Sequence, residues 1–151
     1  MKIKIIFVII AVTLMSCGGR NSSPLPMSVA GTWKLLKGTL IEKGDTTVTD
    51  YTKSISFIKI INESHFAFLQ HDLKKGQDSN AIYISGGGRY SLEGGTYTEH
   101  LEYCSDRQWE GNDFKFTISI IADTLIQTGV EKVESAGVDR LNIEKYIKLK
   151  N

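Results

Sequence analysis

The sequence predicts an all-β fold, an antiparallel sandwich or barrel of about eight or nine strands. Short apolar-rich segments recur from Ala30 to Lys150, and glycine or polar pairs separate them without a convincing helical period. Both prolines, Pro24 and Pro26, come before this region. Every later segment therefore keeps its backbone N–H groups for sheet hydrogen bonds, which favours a continuous antiparallel sheet.

Nine segments carry the strand signal. In chain order they are 32–42, 51–61, 64–70, 81–85, 89–92, 96–104, 114–121, 124–130 and 141–150. The triple glycine 86–88 separates two of them, and we expect a flexible hairpin or a bulge there. It lacks the Lys-Ser/Thr pair and the strand-to-helix setting that a phosphate-binding loop requires.

Alternation of apolar and polar residues predicts which side chains face the core. It is clearest in the segment 114–120, where one face carries Phe114, Phe116, Ile118 and Ile120. In the last segment the same rule predicts that the inward side chains are Leu141, Ile143, Ile147 and Leu149, with Lys145 as an exception on that face. The segment 55–60 changes phase midway, which indicates a bulge or a strand covered on both faces.

The N-terminus has the pattern of a secretory signal peptide, predicted to span residues 1–16. Lys2 and Lys4 precede an apolar run over 5–15, and the small residue Ser16 precedes Cys17. This run is shorter than the roughly 20 residues that a membrane-spanning helix needs. The sequence around Cys17 resembles the bacterial lipobox, which implies that Cys17 is lipidated and becomes the new N-terminus. Because Gly18 is not aspartate, the resemblance implies attachment to the outer membrane.

The rest of the chain divides into a tether and one domain. Residues 17–28 are rich in Gly, Ser and Pro and predict a flexible tether, and 29–151 predict the barrel domain. Without residues 1–16 the chain keeps 16 basic and 17 acidic residues, because only Lys2 and Lys4 are lost. A nearly neutral chain does not call for a nucleic-acid partner. The expected oligomeric state is a monomer.

Cysteine and histidine usage points to no metal or cofactor. Lipidation of Cys17 would leave Cys104 without a disulfide partner, so Cys104 is a buried apolar side chain or, alternatively, a reactive or intermolecular thiol. The spacing of His65, His71 and His100 fits no standard ligand motif. No catalytic nucleophile motif is present, and we do not expect an enzyme.

Three segments resemble bacterial lipocalin-like lipoproteins of the calycin superfamily, a group of largely unassigned function. They are Gly31-Thr32-Trp33, the segment 95–100 and the final Glu144-Lys145-Tyr146-Ile147-Lys148. The resemblance implies an up-and-down barrel of about eight strands. It also implies that Trp33 closes one end and that Lys148 packs across its ring, a role usually taken by arginine. Gly31, Trp33 and Lys148 are then structural residues.

A barrel of this size is either filled by its own side chains or holds one small ligand. Alternation in the segment 96–104 places on one face Tyr97, Glu99, Leu101 and Tyr103, a mostly apolar surface with a few polar groups, as in a ligand pocket. The candidate ligand-binding residues are Tyr97, Glu99, Tyr103 and Arg89. The alternative is that Glu99 pairs with a tyrosine or with Arg89 in a filled core, or points to solvent.

These observations support two hypotheses. The first is a membrane-anchored barrel that binds a small, mainly apolar ligand in the cell envelope. The alternative is a filled barrel that meets a protein or glycan through its loops. Trp109 bears on both, because a loop tryptophan can anchor a partner or fold back over a barrel end.

Overall fold

The computed structural model describes residues 28–79 and 81–150. The predicted signal peptide, Cys17 and the tether up to residue 27 lie outside this part of the chain. The nine strands are β1 Gly31–Glu42, β2 Asp45–Asp50, β3 Ile55–Ile61, β4 His65–Asp72, β5 Tyr83–Glu93, β6 Thr96–Cys104, β7 Asp113–Ile121, β8 Thr124–Val133 and β9 Val138–Lys148. One-turn 3-10 helices occupy Arg107–Trp109 and Glu134–Ala136. No helix in these two ranges is long and apolar enough to cross a membrane.

The sheet is a closed antiparallel barrel. From β3 to β9 each strand pairs with the next one in the chain, and β1 pairs with both β3 and β9. Eight strands, β1 and β3 to β9, therefore form a closed ring. Strand β2 is not part of this ring and pairs as a hairpin with residues 37–42 of β1. Tight turns such as Gly94-Gly95, with φ angles of 55° and 92°, join neighbouring strands. The architecture confirms the predicted all-β, up-and-down barrel.

Trp33 closes one end of the barrel, here called the closed end. Its indole Nε1 donates a hydrogen bond to the carbonyl oxygen of Val29 at 2.8 Å, and both side chains are buried. The Lys148 ammonium lies 5.2 Å from the centre of the Trp33 ring and donates to the carbonyl oxygen of Ala30 at 3.0 Å. Gly31 has a φ of 145°, and a Cβ there would lie 2.6 Å from Lys148 Cε. The predicted contact between Trp33 and Lys148 is thus present.

The triple glycine lies inside β5, which corrects the expected hairpin and the two separate strands. Gly86 faces Phe68 of β4, and a Cβ at Gly86 would approach the Phe68 ring to 2.5 Å. Glycine therefore makes room for an aromatic ring inside the barrel. The bulge alternative is confirmed, because the register with β6 shifts between Gly87 and Gly88, and the extra residue, Glu102, belongs to β6.

Alternation predicted the inward face of β7 correctly but failed for β3, for β9 and at the end of β6. Phe114, Phe116 and Ile118 are buried, as expected. In β3 there is no change of phase, because Phe57, Lys59 and Ile61 are buried in strict alternation. In β9 the inward face is the opposite of the expected one. It carries Asn142, Glu144, Tyr146 and Lys148, while Leu141, Ile143 and Ile147 lie on the outer surface between neighbouring strands.

The Lys148 ammonium should stabilise the closed end. We expect Lys148→Met, which keeps the apolar stem, to lower the free energy of unfolding by about 1–2 kcal/mol through loss of the contact with the indole and of the hydrogen bond. The control is Lys145→Met on the exposed face of the same strand, expected within about 0.5 kcal/mol of wild type. Urea denaturation of both variants measures the difference, and equal stability would contradict the role given to Lys148.

Candidate functional site

A cavity of about 340 Å³ lies in the half of the barrel away from Trp33, here called the open half. It is lined by Phe57, Lys59, Phe68, Gln70, Ile84, Glu99, Leu101, Cys104, Asp106, Trp109, Phe114, Phe116, Gln127, Glu131, Arg140 and Glu144. The inward residues next toward the closed end, among them Ile61, Tyr97 and Leu125, are buried and do not line it. The barrel is therefore packed at one end and hollow toward the other.

Three polar side chains form the floor of the cavity, here called the polar floor: Lys59, Glu99 and Gln127. The Lys59 ammonium lies 2.6 Å from Glu99 Oε1 and donates to Gln127 Oε1 at 3.2 Å. Both charged side chains are more than nine-tenths buried. The ammonium also lies 5.8 Å from the ring centre of Phe66 and 5.5 Å from that of Tyr146. Aromatic faces and a carboxylate thus surround a buried cation.

Burial and charge act against each other in this pair. Burial alone would lower the pKa of Lys59, but the carboxylates of Glu99, Glu144 and Glu131 outweigh it and raise that pKa. Lys59 therefore keeps its proton. For Glu99 burial is the larger effect and raises the pKa, although the Lys59 ammonium opposes it. The pair holds together because neither charge could be left alone in this interior.

A second polar group lies near the mouth of the cavity. Glu131 accepts hydrogen bonds from Arg140 Nε at 2.8 Å and from Asn142 Nδ2 at 2.7 Å. The Arg140 guanidinium carbon lies 5.2 Å from the ring centre of Trp109, and that ring packs at 5.8 Å from the ring of Phe114. Trp109 therefore folds back over the open half, as one of the two alternatives for this residue predicted.

Glu144 faces the same interior from β9. Its Oε2 accepts a hydrogen bond from the Tyr146 hydroxyl at 2.7 Å. Burial, and next the charge of Glu144, raise the pKa of Tyr146 well above its usual range. Burial also raises the pKa of Glu131, and the charge of Glu144 adds to this effect. The field of Glu144 thus reaches both polar groups of the cavity.

The predicted ligand residues are divided between inside and outside. Glu99 lines the cavity, and Tyr97 lies buried toward the closed end with its ring 5.1 Å from that of Tyr90. The Tyr97 hydroxyl is buried without a hydrogen-bond partner in the described part of the chain. Burial, and then the nearby charge of Glu99, raise the pKa of Tyr97. Tyr97 is therefore a neutral core residue next to the polar floor.

Tyr103 and Arg89 lie on the outer surface, which corrects their expected place near Glu99. Strict alternation would point Tyr103 inward, but the extra residue Glu102 shifts the phase of β6. Tyr103 is 68% exposed, and Cys104 faces the cavity in its place. Arg89 pairs at 2.6 Å with Glu102 on the outside. The partner of Glu99 is Lys59.

Sequence reasoning missed most polar residues of the cavity. Lys59 is the one charged residue in the apolar run Phe57-Ile58-Lys59-Ile60-Ile61. A lysine among apolar residues was the signal that could have indicated a buried charge. Arg140 and Glu144 were hidden because the inner face of β9 is more polar than its outer face, and Glu131 is a charged residue on the mixed inner face of β8. Cys104 is partly buried, and burial raises the pKa of its thiol. Over the two described ranges, no group of three His, Cys, Asp or Glu side chains is placed to hold a metal ion.

Comparison with known proteins supplies no family for this chain. No protein-family model matches the sequence, and no curated protein is significantly similar to it. The barrel and its cavity are therefore described from the structure and the sequence, without a related protein.

The Lys59–Glu99 pair should be strongly coupled. We expect Lys59→Met to lower the free energy of unfolding by about 3–5 kcal/mol, because it leaves a buried carboxylate without its cation. The double variant Lys59→Met/Glu99→Met should be less destabilised than the sum of its single variants, because it removes both charges. Denaturation of the four proteins measures the coupling. Additive losses would show that the two side chains do not interact.

The outer pair of Arg89 and Glu102 is a matched control, since its closest atoms are also 2.6 Å apart. Arg89 is largely exposed, and water weakens the attraction. The same double-mutant cycle with methionine should therefore give a coupling of about 1 kcal/mol or less.

Proposed function

We propose that this protein is a lipocalin-like lipoprotein of the bacterial envelope that binds one small, mainly apolar ligand in its barrel. The observation that carries the proposal is the cavity of about 340 Å³ in the open half. Ligand sites of folded proteins have volumes of about 300–1,000 Å³ and combine apolar walls with a few polar groups. The cavity fits the lower end of this range, and so it suits a compact ligand.

The lining supports binding rather than chemical conversion. Phe57, Phe68, Phe114 and Phe116 offer broad apolar surfaces, and burial of a ligand against them is favourable in proportion to the apolar area removed from water. Several of the polar side chains are engaged with one another, as in the polar floor and the Arg140–Glu131 pair. They would orient a ligand through hydrogen bonds and charge.

Anchoring rests on the N-terminal sequence. The charged start, the apolar run and the small residue before Cys17 support export and lipidation of Cys17. The contact among Gly31, Trp33 and Lys148 supports the lipocalin-like assignment, because the resemblance implies it and three separate positions contribute to it. A lipid on Cys17 and Gly18 after it place the protein in the outer membrane under this proposal.

Binding in the cavity should be blocked by filling its mouth. The neutral probe N-phenyl-1-naphthylamine is expected to fluoresce with the barrel domain, and Ile84→Trp should weaken its binding by about tenfold because the larger ring occupies space that the probe needs. Titration of probe fluorescence gives the Kd of each protein.

The matched control is Ile126→Trp, since Ile126 is about as exposed as Ile84 and lies outside the cavity. It should bind like wild type. An equal effect of the two substitutions, or none from Ile84→Trp, would mean that the probe binds elsewhere. Absence of binding to wild type would favour the filled-barrel interaction module.

Lipidation should depend on Cys17 alone. Metabolic labelling with a fatty acid should mark the wild-type protein and Cys104→Ala, and Cys17→Ala should remain unlabelled because its side chain offers no thiol. The two variants remove one cysteine each from a chain that has two. Labelling that persists in Cys17→Ala would refute the anchor.

A further inference from the structure

The charges that line the cavity do not balance. Two cations, Lys59 and Arg140, face four carboxylates, which are Glu99, Glu131, Glu144 and Asp106. Lys59 pairs with Glu99, and Arg140 pairs with Glu131. Asp106 is exposed at the mouth and accepts a hydrogen bond from the backbone N–H of Gln108. Among the interior carboxylates of this lining, as far as the structure describes the chain, Glu144 is the one without an ion-pair partner.

The hydrogen bond that Glu144 accepts comes from a neutral group, and the Lys59 ammonium acts on it only from a longer distance. The Tyr146 hydroxyl donates to its Oε2, and across residues 28–79 and 81–150 no Lys, Arg or His nitrogen forms an ion pair with it. Its register partners on the two neighbouring strands, Gln127 of β8 and Gly38 of β1, carry no charge. A carboxylate in a partly enclosed, apolar cavity attracts a counter-ion more strongly than one in water.

The walls of the cavity suit a cation as well. Ring faces attract positive charge, and this attraction grows when water is excluded. The chain's own cations already use it, because Arg140 lies over Trp109 and Lys59 lies near the rings of Phe66 and Tyr146. A ligand cation would meet the same kind of surface on Phe57 and Phe68, whose rings stack at 5.8 Å.

We propose that the ligand of this cavity is a small organic monocation, an amine or a related base with an apolar or aromatic body, and that Glu144 is its counter-ion. This inference rests on the proposed function and specifies the ligand class. The apolar body lies against the phenylalanine rings, and the ammonium group donates to the free side of the Glu144 carboxylate. An anionic ligand fits poorly, because both interior cations are already paired and the remaining charge is negative.

The test compares three naphthalene derivatives of nearly equal size: 1-naphthylmethylamine, 1-naphthalenemethanol and 1-naphthoic acid. At pH 7 they are a cation, a neutral molecule and an anion. Isothermal titration of the wild-type barrel domain should give the tightest binding for the amine, by roughly tenfold over the alcohol, and the weakest for the acid. This series needs no variant, so it tests the charge preference in the native protein.

The variant Glu144→Gln then locates the counter-ion. It preserves the side-chain length and an oxygen that accepts from Tyr146, and it removes the charge. Binding of the amine should fall by roughly tenfold, and binding of the alcohol should fall clearly less, because its hydroxyl donates to either side chain and carries no charge. The control Glu134→Gln makes the same charge change at an exposed position in the β8–β9 connection and should leave both affinities unchanged.

The outcomes separate this inference from the proposed function. Equal binding of amine and alcohol to wild type would overturn the cation preference and leave ligand binding in place. Preference for the amine that survives in Glu144→Gln would overturn the role of Glu144. If none of the three compounds binds, the inference and the proposed ligand-binding function fall together.

Discussion

The buried contact between Lys59 and Glu99 constrains the whole barrel. The two side chains come from strands that are three steps apart around the ring, and Gln127 of β8 lies three steps from Lys59 in the other direction. The polar floor therefore joins three separate parts of the wall. Removing two charges from water costs several kcal/mol per ion unless a close partner and hydrogen bonds offset it. The three strands must therefore keep their relative positions, because a small displacement would break these contacts and leave buried charges without partners.

The polar floor also explains why the barrel has two different halves. Toward the closed end, buried side chains such as Trp33, Leu35, Tyr97 and Tyr146 fill the interior. On the other side, Glu99 and Gln127 present polar atoms that apolar side chains cannot satisfy. Further toward the mouth, the inner wall carries the polar side chains Glu131, Arg140 and Glu144. These line the cavity, and the centre of the open half stays hollow. The division into a packed half and a cavity thus follows from where the interior turns polar.

The sequence predicted most of the strands, because strand and turn signals are local, but it missed β2 and divided β5 in two. The closed end was predicted by the resemblance to lipocalin-like proteins. Turns such as Gly94-Gly95 mark strand ends, and alternation in β7 coincides with burial because its inner neighbours are apolar. It failed where the interior is polar, since alternation separates two faces without saying which one is inside. The face of β9 that carries Glu144 was assigned to the outside for this reason. The Lys59–Glu99 contact spans 40 residues of chain, and no local pattern reports it. The position of Tyr103 depended on one extra residue in β6, which only the pairing with β5 reveals.

The first described strand enters the barrel at the end opposite the cavity. The described chain enters the barrel at the closed end, where the carbonyl groups of Val29 and Ala30 accept hydrogen bonds from Trp33 and Lys148. If Cys17 is lipidated, as proposed, the segment after it leads into the packed half, whose side chains have the least freedom to rearrange. The mouth near Trp109 lies at the other end of the strands. Under the proposal, the segment that carries the lipid therefore joins the barrel at one end, and the ligand enters at the other.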